Sequence, residues 1–160
     1  MLCGGATVYS PLVQYGAGKT AKDVGVVGLG GLGHFAVIFA KALGANVTVI
    51  SHSDHKKEDA EKMGATTFIS TGSNPSEAVK PHRRSLDLII STSSMSIPTS
   101  RLPSADIVDQ ADMPLADYLS LLRPGGHFVT VGAPETDSIP KISPFVFIMG
   151  KSDITRDFSH

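Results

Sequence analysis

Three glycines set the spacing on which the chemistry of this sequence rests. Gly28, Gly30 and Gly33 lie in the run Val24-Gly25-Val26-Val27-Gly28-Leu29-Gly30-Gly31-Leu32-Gly33-His34. In a strand–turn–helix setting such a pattern holds a pyrophosphate. Gly28 turns the chain out of the strand, Gly30 leaves room beside the backbone, and Gly33 lets the helix lie close to the strand. The unpaired N–H groups and the positive dipole end of the helix then face the phosphates. Leu29, Gly31 and Leu32 fill the same turn. Two look-alikes fail on context. Gly18-Lys19-Thr20 resembles the end of a P-loop, but the first glycine of that motif falls on Val13. Tyr15 and Lys19 have a Tyr-x-x-x-Lys spacing, but Gly16, Ala17 and Gly18 between them make a poor helix.

The residue that tells NAD from NADP is expected about 20 positions after the glycine turn. An acid there takes the ribose 2′-hydroxyl of NAD and repels a 2′-phosphate. This sequence has Ser51 at that point, then Ser53 and Lys56, with His52 and Lys57 close by. Serine hydroxyls and a lysine suit a phosphate, so NADP(H) is the expected cofactor. Asp54 pulls the other way if it faces the ribose, and Lys56 also has a plain reading as an ordinary exposed lysine.

The elements that must position these residues follow from apolar periodicity. Val24–Val27 is β-branched and reads as a buried parallel strand. Phe35, Ala36, Ile38, Phe39, Ala40 and Leu43 recur at helical spacing up to Gly44. A second strand covers Val47–Ile50, a helix about Asp54 to Met63, a third strand Thr66–Ile69 and a fourth Leu86–Ile90. Pro114 opens a helix through Leu122, and Arg123-Pro124-Gly125-Gly126 reads as a turn before a fifth strand, His127–Val131. Residues 1–15 read as a helix broken or kinked near Pro11. Residues 71–85 are polar, and their basic cluster Lys80, His82, Arg83 and Arg84 reads as a solvated loop; residues 95–113 read as a surface excursion. The alternation implies an α/β fold, a doubly wound parallel sheet of Rossmann type with ligand at the carboxyl ends of the strands. A sixth strand begins near Lys151 and is incomplete, at best Lys151–Thr155. Residues 1–150 are thus expected to form one nucleotide-binding domain and 151–160 a tail.

Composition narrows the class further. The chain has 160 residues, 41% hydrophobic and 18% charged, with a net charge of −1. That balance belongs to a globular domain and argues against a general nucleic-acid or membrane-surface binder. The single cysteine, Cys3, rules out an internal disulfide and fits a reducing compartment, so a cytoplasmic location is expected. No signal peptide is visible in the first residues.

Met1 to Leu12, Gly25 to His34, Val47 to Ser53 with Lys56-Lys57, and Leu121 to Pro134 together resemble the zinc-dependent medium-chain alcohol dehydrogenases. The similarity is strongest to the cinnamyl alcohol dehydrogenase-like branch. The resemblance implies roles: Cys3 as a ligand of catalytic zinc, Thr7 beside the nicotinamide, and Thr92 with the backbone of Val131, Gly132 and Ala133 flanking its ribose. Ser51, Ser53 and Lys56 match the NADP-selecting group. It implies reduction of small aldehydes or oxidation of primary alcohols, with zinc as Lewis acid. It also implies a homodimer or other self-association through the sixth-strand edge. The other zinc ligands and much of the substrate pocket of that family precede Cys3 and are not in this sequence. The expectation is a cofactor domain truncated at both ends that neither holds zinc nor turns over alone. A non-catalytic NADP-binding module or a degenerate remnant is the alternative.

Overall fold

The apolar runs pair into one parallel sheet. The computed structural model describes residues 2–72, 74–92, 115–131 and 153–156. Its strands are β1 (Asp23–Val27), β2 (Asn46–Ser51), β3 (Thr67–Ser70), β4 (Leu86–Ser91), β5 (Leu122–Thr130) and β6 (Asp153–Arg156). They lie in the order β3-β2-β1-β4-β5-β6. Every pairing is parallel. The order reverses beside β1, the switch point at which open α/β sheets bind ligands. Gly132, Ala133, residues 95–113 and the apolar run 145–149 lie outside the described residues.

Helices cover both faces. On one, α1 (Leu2–Gln14), α2 (Gly31–Ala42) and α3 (Lys57–Lys62) pack over Val24, Val26, Val47, Val49, Leu88, Ile90 and Val129. On the other, α4 (Pro75–Val79) and α5 (Leu115–Leu121) cover Ile50, Ile69, Leu86, Ile89 and Phe128. Strands buried on both sides explain why β1, β2 and β4 read as continuous apolar runs. Gly25 lets β1 lie close under Leu86: a Cβ there would meet Leu86 Cδ1 at 2.7 Å and make that side chain shift.

Four expectations change. First, α1 runs unbroken through Pro11. A proline inside a helix costs about 3 kcal/mol, and burial of Val8 and Leu12 at about 1.5–3 kcal/mol each offsets it. Second, the polar stretch 71–85 contains a helix, and the basic cluster begins in a 3-10 turn. Pro75 stands at the first position of α4, where its missing N–H is harmless, and Val79 is buried beneath it. A 3-10 turn over Lys80–His82 follows. Third, the Arg123–Gly126 turn is absorbed into β5, whose pairing with β4 shifts register between Leu86 and Leu88. Fourth, the sixth strand forms at Asp153–Arg156, beginning two residues after Lys151, and pairs with β5 along its whole length. β6 now takes the outer position in the sheet.

Among the described residues no helix is long and apolar enough to cross a membrane. Tyr15, just past α1, stacks on His127 of β5 with ring centroids 4.7 Å apart, tying the end of the helix to the sheet.

Candidate functional site

The carboxyl ends of β2, β1, β4 and β5 converge. Register pairs Val27 with Ile50 and Ser91, and Ser91 with Thr130. The glycine turn leaves β1 at this convergence. Gly28 takes φ +86°, a left-handed conformation open to glycine, and its N–H donates to Ile50 O at 2.9 Å. Gly33 is buried in the first turn of α2. A Cβ there would collide with the Gly28 carbonyl, so only glycine lets α2 approach β1 this closely. Gly30 and Gly31 are different: both are exposed, and a Cβ on either meets nothing within 4 Å. That leaves open space beside a helix N-terminus, the kind of place where an anion can approach backbone N–H groups. Leu29 is buried and Leu32 half-buried, so the turn is anchored on its apolar side.

Lys56 reaches this turn from the segment after β2. Its Nζ donates to Leu29 O at 3.3 Å. That contact answers the plain reading of Lys56 as a solvated lysine: it is half-buried and lies against the glycine turn. Ser51 ends β2 and is buried; its carbonyl accepts from Thr71 N at 2.9 Å and from Thr71 Oγ1 at 3.3 Å. Ser53 precedes the 3-10 turn Asp54–Lys56 in extended conformation and is half-buried, whereas Asp54 is exposed.

Thr92 follows β4. Its hydroxyl lies 3.0 Å from both Val27 O and Gly28 O, and its N–H donates to Val27 O at 2.9 Å. It staples β4 to the point where β1 turns. Val131 is buried at the end of β5, and its N–H donates to Ser91 O at 3.0 Å. Gly132 and Ala133 fall outside the described residues. Cys3 and Thr7 stand one turn apart on α1, with Thr7 Oγ1 donating to Cys3 O at 2.8 Å. A Cβ on Gly4 would contact Leu32 Cδ2 at 3.4 Å, so this end of α1 lies against the glycine turn.

Two features were not read from the sequence. His34 Nδ1 lies 2.6 Å from Gly30 O and donates to it, placing an imidazole on the first turn of α2 beside the open glycines. The helical i, i+4 spacing of Gly30 and His34 was the available signal. At the opposite end of the sheet, Arg123 Nη1 bonds Asp87 Oδ1 at 2.6 Å and Nη2 bonds Asp23 Oδ2 at 2.9 Å. Asp87 Oδ2 also accepts from Lys22 N and Asp23 N, each at 3.0 Å. Burial pushes the Asp87 carboxyl up, but the Asp23 N–H, the Arg123 guanidinium and the Lys22 N–H outweigh it and hold it below its ordinary value. No local pattern links positions 23, 87 and 123; strand pairing alone brings them together.

The arrangement is that of a dinucleotide-binding domain, and the comparisons place it. Residues 31–101 match a family described as zinc-binding dehydrogenase. Over 151 residues the chain is 40% identical to a probable cinnamyl alcohol dehydrogenase 3 of Oryza sativa subsp. japonica, covering 94% of this chain and 36% of that protein. It is 48% identical over 136 residues to an 8-hydroxygeraniol dehydrogenase of Catharanthus roseus, covering 84% of this chain and 33% of that protein. The fold superimposes on a cinnamyl alcohol dehydrogenase of Sorghum bicolor with TM-score 0.78 at 37% identity, over 97% of this chain and 38% of the other. The chain belongs to the zinc-binding dehydrogenase family. A second solved relative, a Helicobacter pylori cinnamyl alcohol dehydrogenase in complex with NADP(H), superimposes with TM-score 0.71 at 38% identity, over 97% of this chain and 38% of that one. The chain spans about a third of the length of the curated relatives it matches.

The family name implies zinc. Cys3 is exposed, and among the described residues no three His, Cys, Asp or Glu side chains come together to hold a metal ion. A catalytic zinc takes three protein ligands, so the described residues do not make such a site by themselves. The dinucleotide fits better: the open glycines, the helix N-terminus and Lys56 form one cradle.

Proposed function

We propose that this chain is the NADP(H)-binding part of an alcohol dehydrogenase that interconverts small aldehydes and primary alcohols. When bound, NADPH would supply a hydride to the aldehyde carbon while a proton is added to the oxygen, giving NADP+ and the alcohol, with oxidation the reverse. The observation that carries the cofactor assignment is the contact of Lys56 Nζ with Leu29 O, beside glycines open to 4 Å and with Ser51 where an acid would select NAD. Lys56 and the serines offer charge-assisted hydrogen bonds to a 2′-phosphate. Gly28–Gly33 would hold the pyrophosphate, and Thr7, Thr92 and Val131 would lie toward the nicotinamide end. The Helicobacter pylori relative solved with NADP(H) supports the same choice.

Activity requires zinc ligands and a substrate pocket beyond those described, with Cys3 contributing one ligand to them. Alone, these residues act as a cofactor-binding module without turnover. A reducing, cytoplasmic setting suits the single thiol, and the outer edge of β6 suits pairing with a second copy.

Calorimetric titration with NADPH and NADH tests the assignment. Tighter NADPH binding is expected. Equal or tighter NADH binding refutes it. Zinc retained after dialysis, or NADPH consumption with cinnamaldehyde by the chain alone, refutes the reading of a module without turnover.

A further inference from the structure

Two buried hydroxyls outside the glycine turn act on the end of β2. Thr71 follows β3, and both its backbone and its side chain reach Ser51. Its N–H donates to Ser51 O at 2.9 Å, and its Oγ1 donates to the same carbonyl at 3.3 Å. Gly72 N continues the clamp and donates to His52 O at 3.2 Å. Register pairs Ser51 with Ser70, so these bonds carry the β2–β3 pairing past its last partners, to where the chain leaves the strand for Ser53 and Lys56. The peptide unit is planar, so a carbonyl fixed by two donors also fixes the direction in which His52 departs.

The clamp is held in turn from the face of the sheet opposite α3. Tyr118 of α5 hydrogen-bonds the Thr71 side chain. Thr71 has one hydroxyl proton and gives it to Ser51 O, so the Tyr118 hydroxyl donates to Thr71 Oγ1. Burial raises the Tyr118 phenol above its ordinary value, opposed by the Thr71 bond and helped by the Asp117 charge, so the donor keeps its proton. Ser51, Thr71 and Tyr118 are 7%, 4% and 7% exposed, which keeps water from competing for these bonds. Beside Tyr118, Asp117 Oδ2 accepts from Ser76 Oγ of α4 at 2.8 Å and ties α5 to its neighbour.

We propose that Thr71 and Tyr118 are positioning residues for cofactor selection: through the Ser51 carbonyl they hold the Ser51–Lys56 segment in the orientation that receives a ribose 2′-phosphate. The proposal rests on the NADP(H) reading above. The two residues act through Ser51 and not on the phosphate itself. A loosened segment should therefore cost the 2′-phosphate its contacts and spare the pyrophosphate, whose cradle is the glycine turn after β1.

Calorimetric titration of the whole chain with NADPH and with NADH tests it on the parent, Thr71→Val, Thr71→Ser and Tyr118→Phe, with melting temperatures measured alongside. Thr71→Val keeps the N–H bond and the shape but loses the hydroxyl. Its Kd for NADPH should rise about fivefold, the scale of one net hydrogen bond, while its Kd for NADH stays within about twofold. Thr71→Ser should restore the parent's preference. Tyr118→Phe removes only the outer bond and should raise the NADPH Kd about threefold, again with NADH spared. Tyr118→Phe keeps its ring in the core, so it decides the question should Thr71→Val fail to fold. A purely structural role moves the melting temperature with both Kd values together or with neither, and either result overturns the proposal. A parent that prefers NADPH, with variants that keep its preference, overturns this proposal alone. A parent that binds NADH as tightly as NADPH overturns the cofactor reading and the proposal with it.

Discussion

The two ends of the sheet use the same strands for opposite purposes. At the carboxyl ends, Gly30 and Gly31 face open space, and Lys56 makes one 3.3 Å bond to a carbonyl. At the amino ends, both oxygens of Asp23, both oxygens of Asp87 and both terminal nitrogens of Arg123 are engaged. Polar groups left open are available to a ligand, and polar groups that satisfy one another hold the fold. Stability and binding should therefore be separable by substitution.

The sharpest test pairs two glycines of one turn. Gly33→Val should lower unfolding free energy by on the order of 3 kcal/mol, because the new side chain meets the Gly28 backbone and neither side yields. NADPH binding should be lost with it. Gly30→Val should also lose NADPH binding, yet melt within a degree or two of the parent, because its Cβ enters empty space. Denaturant titration with calorimetry reads both. A Gly30→Val protein as unstable as Gly33→Val would mean that the open side of the turn is not open.

Asp87→Ala should cost about 2 kcal/mol of stability by stranding two backbone N–H groups and half of Arg123. Its NADPH affinity, measured while folded, should stay within twofold. Lys56→Ala is the mirror image. Its melting temperature should not move, while its Kd for NADPH should rise about tenfold, or about 1.4 kcal/mol, with NADH affinity unchanged.

The smallest effect is acidic. The Asp87 carboxyl titrates below its ordinary value of 3.8 in the folded chain, so the unfolded chain takes up the proton first as pH falls. The contribution of Asp87 is complete above the unfolded value and is lost as pH drops through the folded one. Asp87→Asn should flatten that acid limb of the stability curve modestly, since its side chain keeps 22% of its surface in solvent. An unchanged limb would remove the carboxylate from the account.

Much of this was legible because it is local. The glycine spacing sets a turn, β-branched runs set buried strands, and Ser51 in place of an acid needs no distant partner to be informative. Misreadings arose where context outweighed a local rule. Pro11 breaks an isolated helix but not one pinned by Val8 and Leu12 in the core, and Pro75 starts a helix inside a stretch whose polar composition does not signal one. Arg123-Pro124-Gly125-Gly126 has turn composition, yet pairing with β4 draws it into a strand with a register shift.

By itself, then, the sequence determined the glycine turn, its strand and helix, and the parallel α/β class, since each depends on neighbours a few positions away. Only the tertiary structure decided that Lys56 lies against Leu29 O across 27 positions, that Thr92 clamps the β1 turn, and that Asp23, Asp87 and Arg123 form one cluster. Those contacts depend on which strands pair and in what register, and chain composition carries no record of either until the sheet closes.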